Sequence, residues 1–65
     1  MTKTQKHLEK AINIQPEFAD AHYELALIFK DKGENEKSRE HLLKAIEIKP
    51  DYAKAYFHLA LLLKD

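Results

Sequence analysis

The 65-residue chain has no cysteine, no valine, a single glycine (Gly33), two prolines (Pro16 and Pro50) and no net charge. Without cysteine there is no disulfide framework, no thiolate metal ligand and no thiol nucleophile. One glycine cannot build a phosphate-cradling loop. The 11 basic side chains balance 11 acidic ones, and the pI lies near 6.9. That balance argues against a dedicated binder of nucleic acid or of an anionic membrane. The longest unbroken apolar run, Leu59 to Leu63, is far short of the roughly 20 residues that span a bilayer. Met1 to Lys10 is polar and basic and has no signal-peptide pattern. The expectation is a soluble, cytoplasmic protein with one small domain.

What is present favours helix. Ala, Leu, Lys and Glu make up more than half of the chain, and only two threonines accompany the missing valines. Pro16, Gly33 and Pro50 divide the chain into four stretches, each enough for about four turns or ~20 Å of helix. Phe18, Ala21, Leu25, Ala26, Ile28 and Phe29 recur at helical spacing in the second stretch, and Leu42, Ala45 and Ile46 in the third. The pattern predicts helices near 2–14, 18–31, 35–48 and 52–64, an all-α fold.

The chain also repeats itself. Residues 1–31 laid over 35–65 give 15 identities in 31 pairs, where this composition would give about three by chance. Pro16 matches Pro50, Ala11 matches Ala45, Ala21 matches Ala55 and Ala26 matches Ala60. A 34-residue period with two helices per unit is the signature of an α-solenoid of antiparallel helix pairs.

From Ala19 the chain reads His22, Leu25-Ala26, Phe29, a turn at Gly33, then Ser38, Leu42, Ala45 and Pro50. The next copy starts at Ala53 with Tyr56, Leu59-Ala60 and Leu63, and Thr4, Leu8, Ala11 and Pro16 form a preceding second helix. This arrangement resembles the tetratricopeptide repeat, with His22 and Leu63 standing where the family carries aromatics. The resemblance implies a second helix of a partial repeat over 1–18, one complete repeat over 19–52 and the first helix of another over 53–65. The helices then follow B-A-B-A order. The alanines should let helices approach closely, Ala26 and Ala60 within a unit and Ala11 and Ala45 between units. Leu25, Phe29, Leu42 and Ile46 should form a continuous core. Glu17 and Asp51 suit the positive ends of the helices that follow them.

The resemblance also implies a function: binding a protein or peptide, as a scaffold, in a concave groove lined by first helices. The side chains facing that groove are expected to be Asp20, Tyr23, Glu24, Leu27, Lys30 and Asp31, then Lys54, Phe57, His58, Leu61 and Lys64. One subclass of the family clamps a C-terminal carboxylate through Lys and Asn, but the corresponding places here hold Tyr23, Leu27, Phe57 and Leu61. These four instead suggest an apolar floor, with Asp20 and Glu24 as an acidic edge and Lys54 and Lys64 as a basic one. The alternative is a purely structural segment of a longer solenoid or regulatory region, with no groove ligand of its own.

The repeat phase suggests a second mode of interaction. Two full units need 68 residues, three more than the chain has. The helix near 52–64 is the most apolar and lacks a second helix, whereas the helix near 2–14 is such an element. Self-association that completes a repeat between chains is therefore expected, using Leu8, Ala11 and Ile12 against Tyr56, Leu59, Ala60, Leu62 and Leu63. It could give a closed dimer, a head-to-tail stack, or a swapped form with the Lys30–Glu36 hinge straightened into one long helix.

Other chemistry finds little support. The four histidines include no pair at i, i+3 or i+4 and no HExxH, so surface or structural roles outweigh metal binding. Ser38 has only His22 and His41 as conceivable bases, and no oxyanion hole is visible. Acidic residues read as solvated partners such as Glu40 with Lys44. No enzyme activity and no cofactor are expected. The RNA-binding pentatricopeptide class runs one residue longer and is usually basic, and both features count against it.

Overall fold

The computed structural model describes residues 2–64, with side chains from residue 4 onward. Four helices follow one another: α1 Thr2–Ile14, α2 Ala19–Asp31, α3 Asn35–Ile48 and α4 Ala53–Leu63. Among the described residues there is no strand. Expected and observed boundaries agree within one residue. The small differences arise because Phe18 and Tyr52 stay non-helical (ψ 91° and 89°) as the residues that cap α2 and α4. Each helix packs on the one before it, α2 on α3 most extensively, in a slab of 32 × 26 × 14 Å.

Both prolines end a helix in the same way. Ahead of each, the last helical bond runs from Gln15 N–H to the Ala11 carbonyl and from Lys49 N–H to the Ala45 carbonyl, both 2.8 Å. A tight turn follows, closed by Phe18 N–H on the Gln15 carbonyl (3.1 Å) and Tyr52 N–H on that of Lys49 (3.0 Å). Proline fits the second place of such a turn because its φ is already fixed and no N–H is required. The α2–α3 turn works differently. Gly33 takes φ +81°, and the Glu34 N–H reaches back to the Phe29 carbonyl (2.9 Å) while the Gly33 N–H reaches that of Lys30 (3.0 Å). This left-handed cap satisfies carbonyls that the helix end leaves open.

The core gathers where the helices come closest. Ala19, Tyr23, Ala26, Leu42, Ala45, Tyr52 and Ala55 are buried together, flanked by the partly buried Leu27, Ile46, Ile48, Leu59 and Leu62. Ala26, Leu42 and Ala45 have no exposed surface. The buried Ser38 hydroxyl donates a 2.8 Å hydrogen bond to the Ala26 carbonyl. Leu25 and Phe29 are buried as well but belong to the adjoining side of α2, so the expected single core divides. There Phe29 stacks on His41 (5.5 Å between centroids, 14° between planes).

Two expectations need correction. Ala60 was expected against a partner helix, but it is exposed, because no described residue covers that side of α4. The Glu40–Lys44 pair gives way to Lys44–Glu47 at 3.7 Å, with Glu34–Lys37 at 3.4 Å. Exposed pairs at either spacing differ by only a few tenths of a kcal/mol, so local rotamers decide between them.

A methyl group on Gly33 would meet nothing within 4 Å, so Gly33→Ala tests backbone conformation alone. The substitution is expected to cost about 1 kcal/mol and to lower Tm by roughly 4–8 °C. Thermal unfolding followed by circular dichroism checks it, with helical content below the transition unchanged.

Candidate functional site

The first helices of the repeat, α2 and α4, meet through long side chains. Tyr23 on α2 is buried against the Tyr52 ring (centroids 5.2 Å apart) and the His58 ring (5.6 Å, edge-on). The Tyr52 hydroxyl donates a 2.8 Å hydrogen bond to Asp20 Oδ1, while Lys49 Nζ lies 4.8 Å from the centre of the Tyr52 ring. Burial first, then the bond to Asp20, drives the Tyr52 phenol well above its ordinary ionisation range. Burial and the nearby Glu24 also raise Tyr23.

This joint redistributes the expected groove residues. Tyr23 is beneath the surface as padding between α2 and α4 and cannot serve as an open floor, a correction that follows from its packing on Tyr52 and His58. Asp20 stays exposed but is tied to Tyr52. His58 is half-buried, and its Nδ1 has no hydrogen-bond partner. Leu27 and Lys30 are half-buried, and Glu24, Asp31, Lys54 and Lys64 are exposed. Phe57 at 62% and Leu61 at 42% exposure remain as open apolar side chains one turn apart on α4. The open apolar part of the surface therefore narrows to Phe57 and Leu61 on α4, while Leu27 on α2 is packed against the core.

The self-association candidates divide between the two outer helices. Leu8, Ala11 and Ile12 on α1 are half-buried, as are Leu59 and Leu62 on α4. Tyr56, Ala60 and Leu63 are exposed. A shallow depression lined by Asn35, Glu36, Arg39, Leu62 and Leu63 lies between the start of α3 and the end of α4, away from Phe57 and Leu61.

Two features escaped the sequence. Tyr52 falls at the start of the helix expected over 52–64, and its 34-residue spacing from Phe18 is the one signal in the sequence for a packing role. The second is a histidine pair: His22 Nδ1 and His41 Nδ1 are 3.1 Å apart although 19 positions separate them. His22 Nε2 lies 3.0 Å from the Pro16 carbonyl. A carbonyl only accepts, so His22 donates from Nε2, and with both rings neutral its bare Nδ1 accepts from His41 Nδ1–H. Ser38 bonds the Ala26 carbonyl and is not poised on either histidine. Among the described residues no group of three or more His, Cys, Asp or Glu could hold a metal ion, and no helix is long and apolar enough to cross a membrane.

A family model described as "TPR repeat" matches residues 26–65, and another described as "Tetratricopeptide repeat" matches residues 7–40. The chain belongs to the tetratricopeptide repeat family. No curated protein and no solved structure matches it significantly. Tetratricopeptide repeats are in general non-enzymatic modules that mediate protein–protein interaction or scaffolding. The four packed helices accord with that fold.

The half-buried rings of His41 and His58 make stability depend on pH. Burial and then His22 lower the pKa of His41, against the opposing pull of Glu40 and Glu9. Burial and then Lys30 lower that of His58. The fold thus favours neutral rings, whereas the unfolded chain takes up protons near the ordinary value of 6.5. Their contribution is complete above that pH and is lost as pH falls below it. Tm measured from pH 7.5 to pH 5 should decline, and His41→Gln together with His58→Gln should flatten the decline.

Tyr52→Phe removes the hydroxyl bond to Asp20 while keeping the ring. It is expected to cost about 1 kcal/mol, read by chemical denaturation. The companion change Asp20→Asn should keep most of that stability, because its amide oxygen still accepts.

Proposed function

We propose that this tetratricopeptide chain binds proteins through α4, with one side of the helix for a peptide or helix ligand and another for a second copy of the chain. The observation that carries this reading is the exposure of Tyr56, Phe57, Leu61 and Leu63, four large apolar side chains on one helix of 11 residues. Apolar clusters of this kind on small domains commonly mark interaction sites. Phe57 and Leu61, four positions apart, suit apolar anchors from a bound segment, and Lys54 and Lys64 beside them favour a ligand with acidic flanks. Tyr56, Leu59, Ala60 and Leu63 follow i, i+3, i+4 and i+7 spacing on a separate side and suit a covering helix, for which Leu8, Ala11 and Ile12 of α1 are the natural match.

The test is molar mass by light scattering across a hundredfold range of concentration, on the 65-residue chain and on the double variant Phe57→Ala, Leu61→Ala. Mass above one chain in both proteins supports self-association through the second side of α4. A fixed mass of two chains means closed pairing, and a rising mass means a stack. A single-chain mass throughout removes self-association from the reading. Peptide arrays of acidic-flanked amphipathic helices then test the first side. Signals lost in the double variant at unchanged helicity support it, whereas no signal, or equal signals from both proteins, favours the purely structural alternative.

A further inference from the structure

The α2–α3 interface contains a template for what covers α4. By the 34-residue period α4 is the equivalent of α2, and α1 is the equivalent of α3. In the template the contacts that join the helices include Ser38 Oγ to the Ala26 carbonyl (2.8 Å), the His22–His41 ring pair, and Phe29 stacked on His41. Shifting each residue by one period gives Thr4 for Ser38, Ala60 for Ala26, Tyr56 for His22, His7 for His41 and Leu63 for Phe29. The replacements keep the hydroxyl–carbonyl contact and an apolar setting for the imidazole, although Leu63 gives up the ring stacking of Phe29. Thr4 has a hydroxyl donor, Ala60 leaves its carbonyl open to approach, and Tyr56 and Leu63 are ring and aliphatic neighbours for an imidazole.

Exposure differs between the two sets although the residues correspond. His22 is 6% exposed and Tyr56 49%; Phe29 is 7% exposed and Leu63 60%. Ala26, Ser38, Leu42 and Ala45 are fully buried. Of their equivalents, Ala60 and Thr4 are exposed, and Leu8 and Ala11 are half-buried. The two sets thus correspond, residue for residue, to the two halves of an interface that the chain already forms once internally. An alanine at position 60 suits this close approach, since a larger side chain would hold the helix axes apart.

We infer that α4 of one chain docks on α1 of a second copy in the α2–α3 register, with the Thr4 hydroxyl of the second copy donating to the Ala60 carbonyl of the first. This rests on the self-association reading above and adds its register. The contact joins two different surfaces, so it is heterologous: each added copy presents a fresh α4, and assembly continues unless the rotation closes a ring. A two-fold α4–α4 pairing would instead set Tyr56 and Leu63 against copies of themselves and leave the α1 face open.

The absence of cysteine makes a crosslinking test clean. Thr4→Cys and Ala60→Cys variants are prepared separately, checked for native helicity, mixed in equal amounts and oxidised. The expected product is the mixed Thr4→Cys/Ala60→Cys disulfide, well above the half share that random pairing gives. Predominance of the Ala60→Cys homodisulfide would overturn the proposal in favour of two-fold pairing, and a statistical mixture would overturn it for lack of register. Wild-type molar mass separates the two levels: association without mixed-disulfide enrichment sinks the register alone, and a single-chain mass sinks both. Ala60→Glu, at a site exposed in the free chain, supplies a second reading. It should weaken association at least about tenfold, because a carboxylate would be buried in the contact. An unchanged mass profile for that variant would overturn the register without any appeal to disulfide chemistry.

Discussion

Everything in this small fold depends on how closely α2 and α3 approach. Ala26 on one helix and Leu42 and Ala45 on the other have no exposed surface, and the Ser38 hydroxyl bonds the Ala26 carbonyl across the gap. Such contact requires small residues at the crossing point, since a longer side chain on either helix would separate the axes. Once this pair is fixed, α1 and α4 have defined surfaces on which to pack. The Gly33 turn holds the pair antiparallel and closes the end of α2 with its own backbone.

The second level of organisation is aromatic. Tyr23, Tyr52 and His58 meet between α2 and α4, and Tyr52 anchors to Asp20. These side chains reach between helices that are not neighbours in sequence and so tie one repeat to the next. The joint draws Tyr23 inward and leaves Phe57 and Leu61 open. A surface that could have offered a broad apolar floor becomes a narrower one, with its open apolar side chains on a single helix.

Repetition gives the chain an unusual internal reference. The same residue types occur once in a completed interface and once at its outer faces, so the exposure of one set can be judged against the burial of the other. His22 with Tyr56 and Phe29 with Leu63 make the contrast plain. Solenoids grow by nearest-neighbour contacts of one kind, and their terminal helices need either a polar face or a partner. In α4 the exposed face is apolar, the character that α2 shows where α3 covers it.

The sequence by itself determined the four helices, their boundaries to within a residue, the repeat and the family. These depend on local spacing, on proline and glycine punctuation and on a 34-residue self-match, all properties read along the chain. It also identified Ala26 and Ala45 as close-packing alanines and the apolar character of α4, whereas Ala60 stands exposed. Only the tertiary structure decided which groove residues stay open. Tyr23 and Phe57 hold equivalent places in the repeat, yet one is buried and the other exposed, because Tyr52 and His58 cover the first and no described residue covers the second. The His22–His41 pair was likewise invisible, since the residues are 19 positions apart and meet only after α3 folds back on α2. Periodicity reports which side of a helix a residue occupies; what lies against that side is fixed by the packing of the other helices.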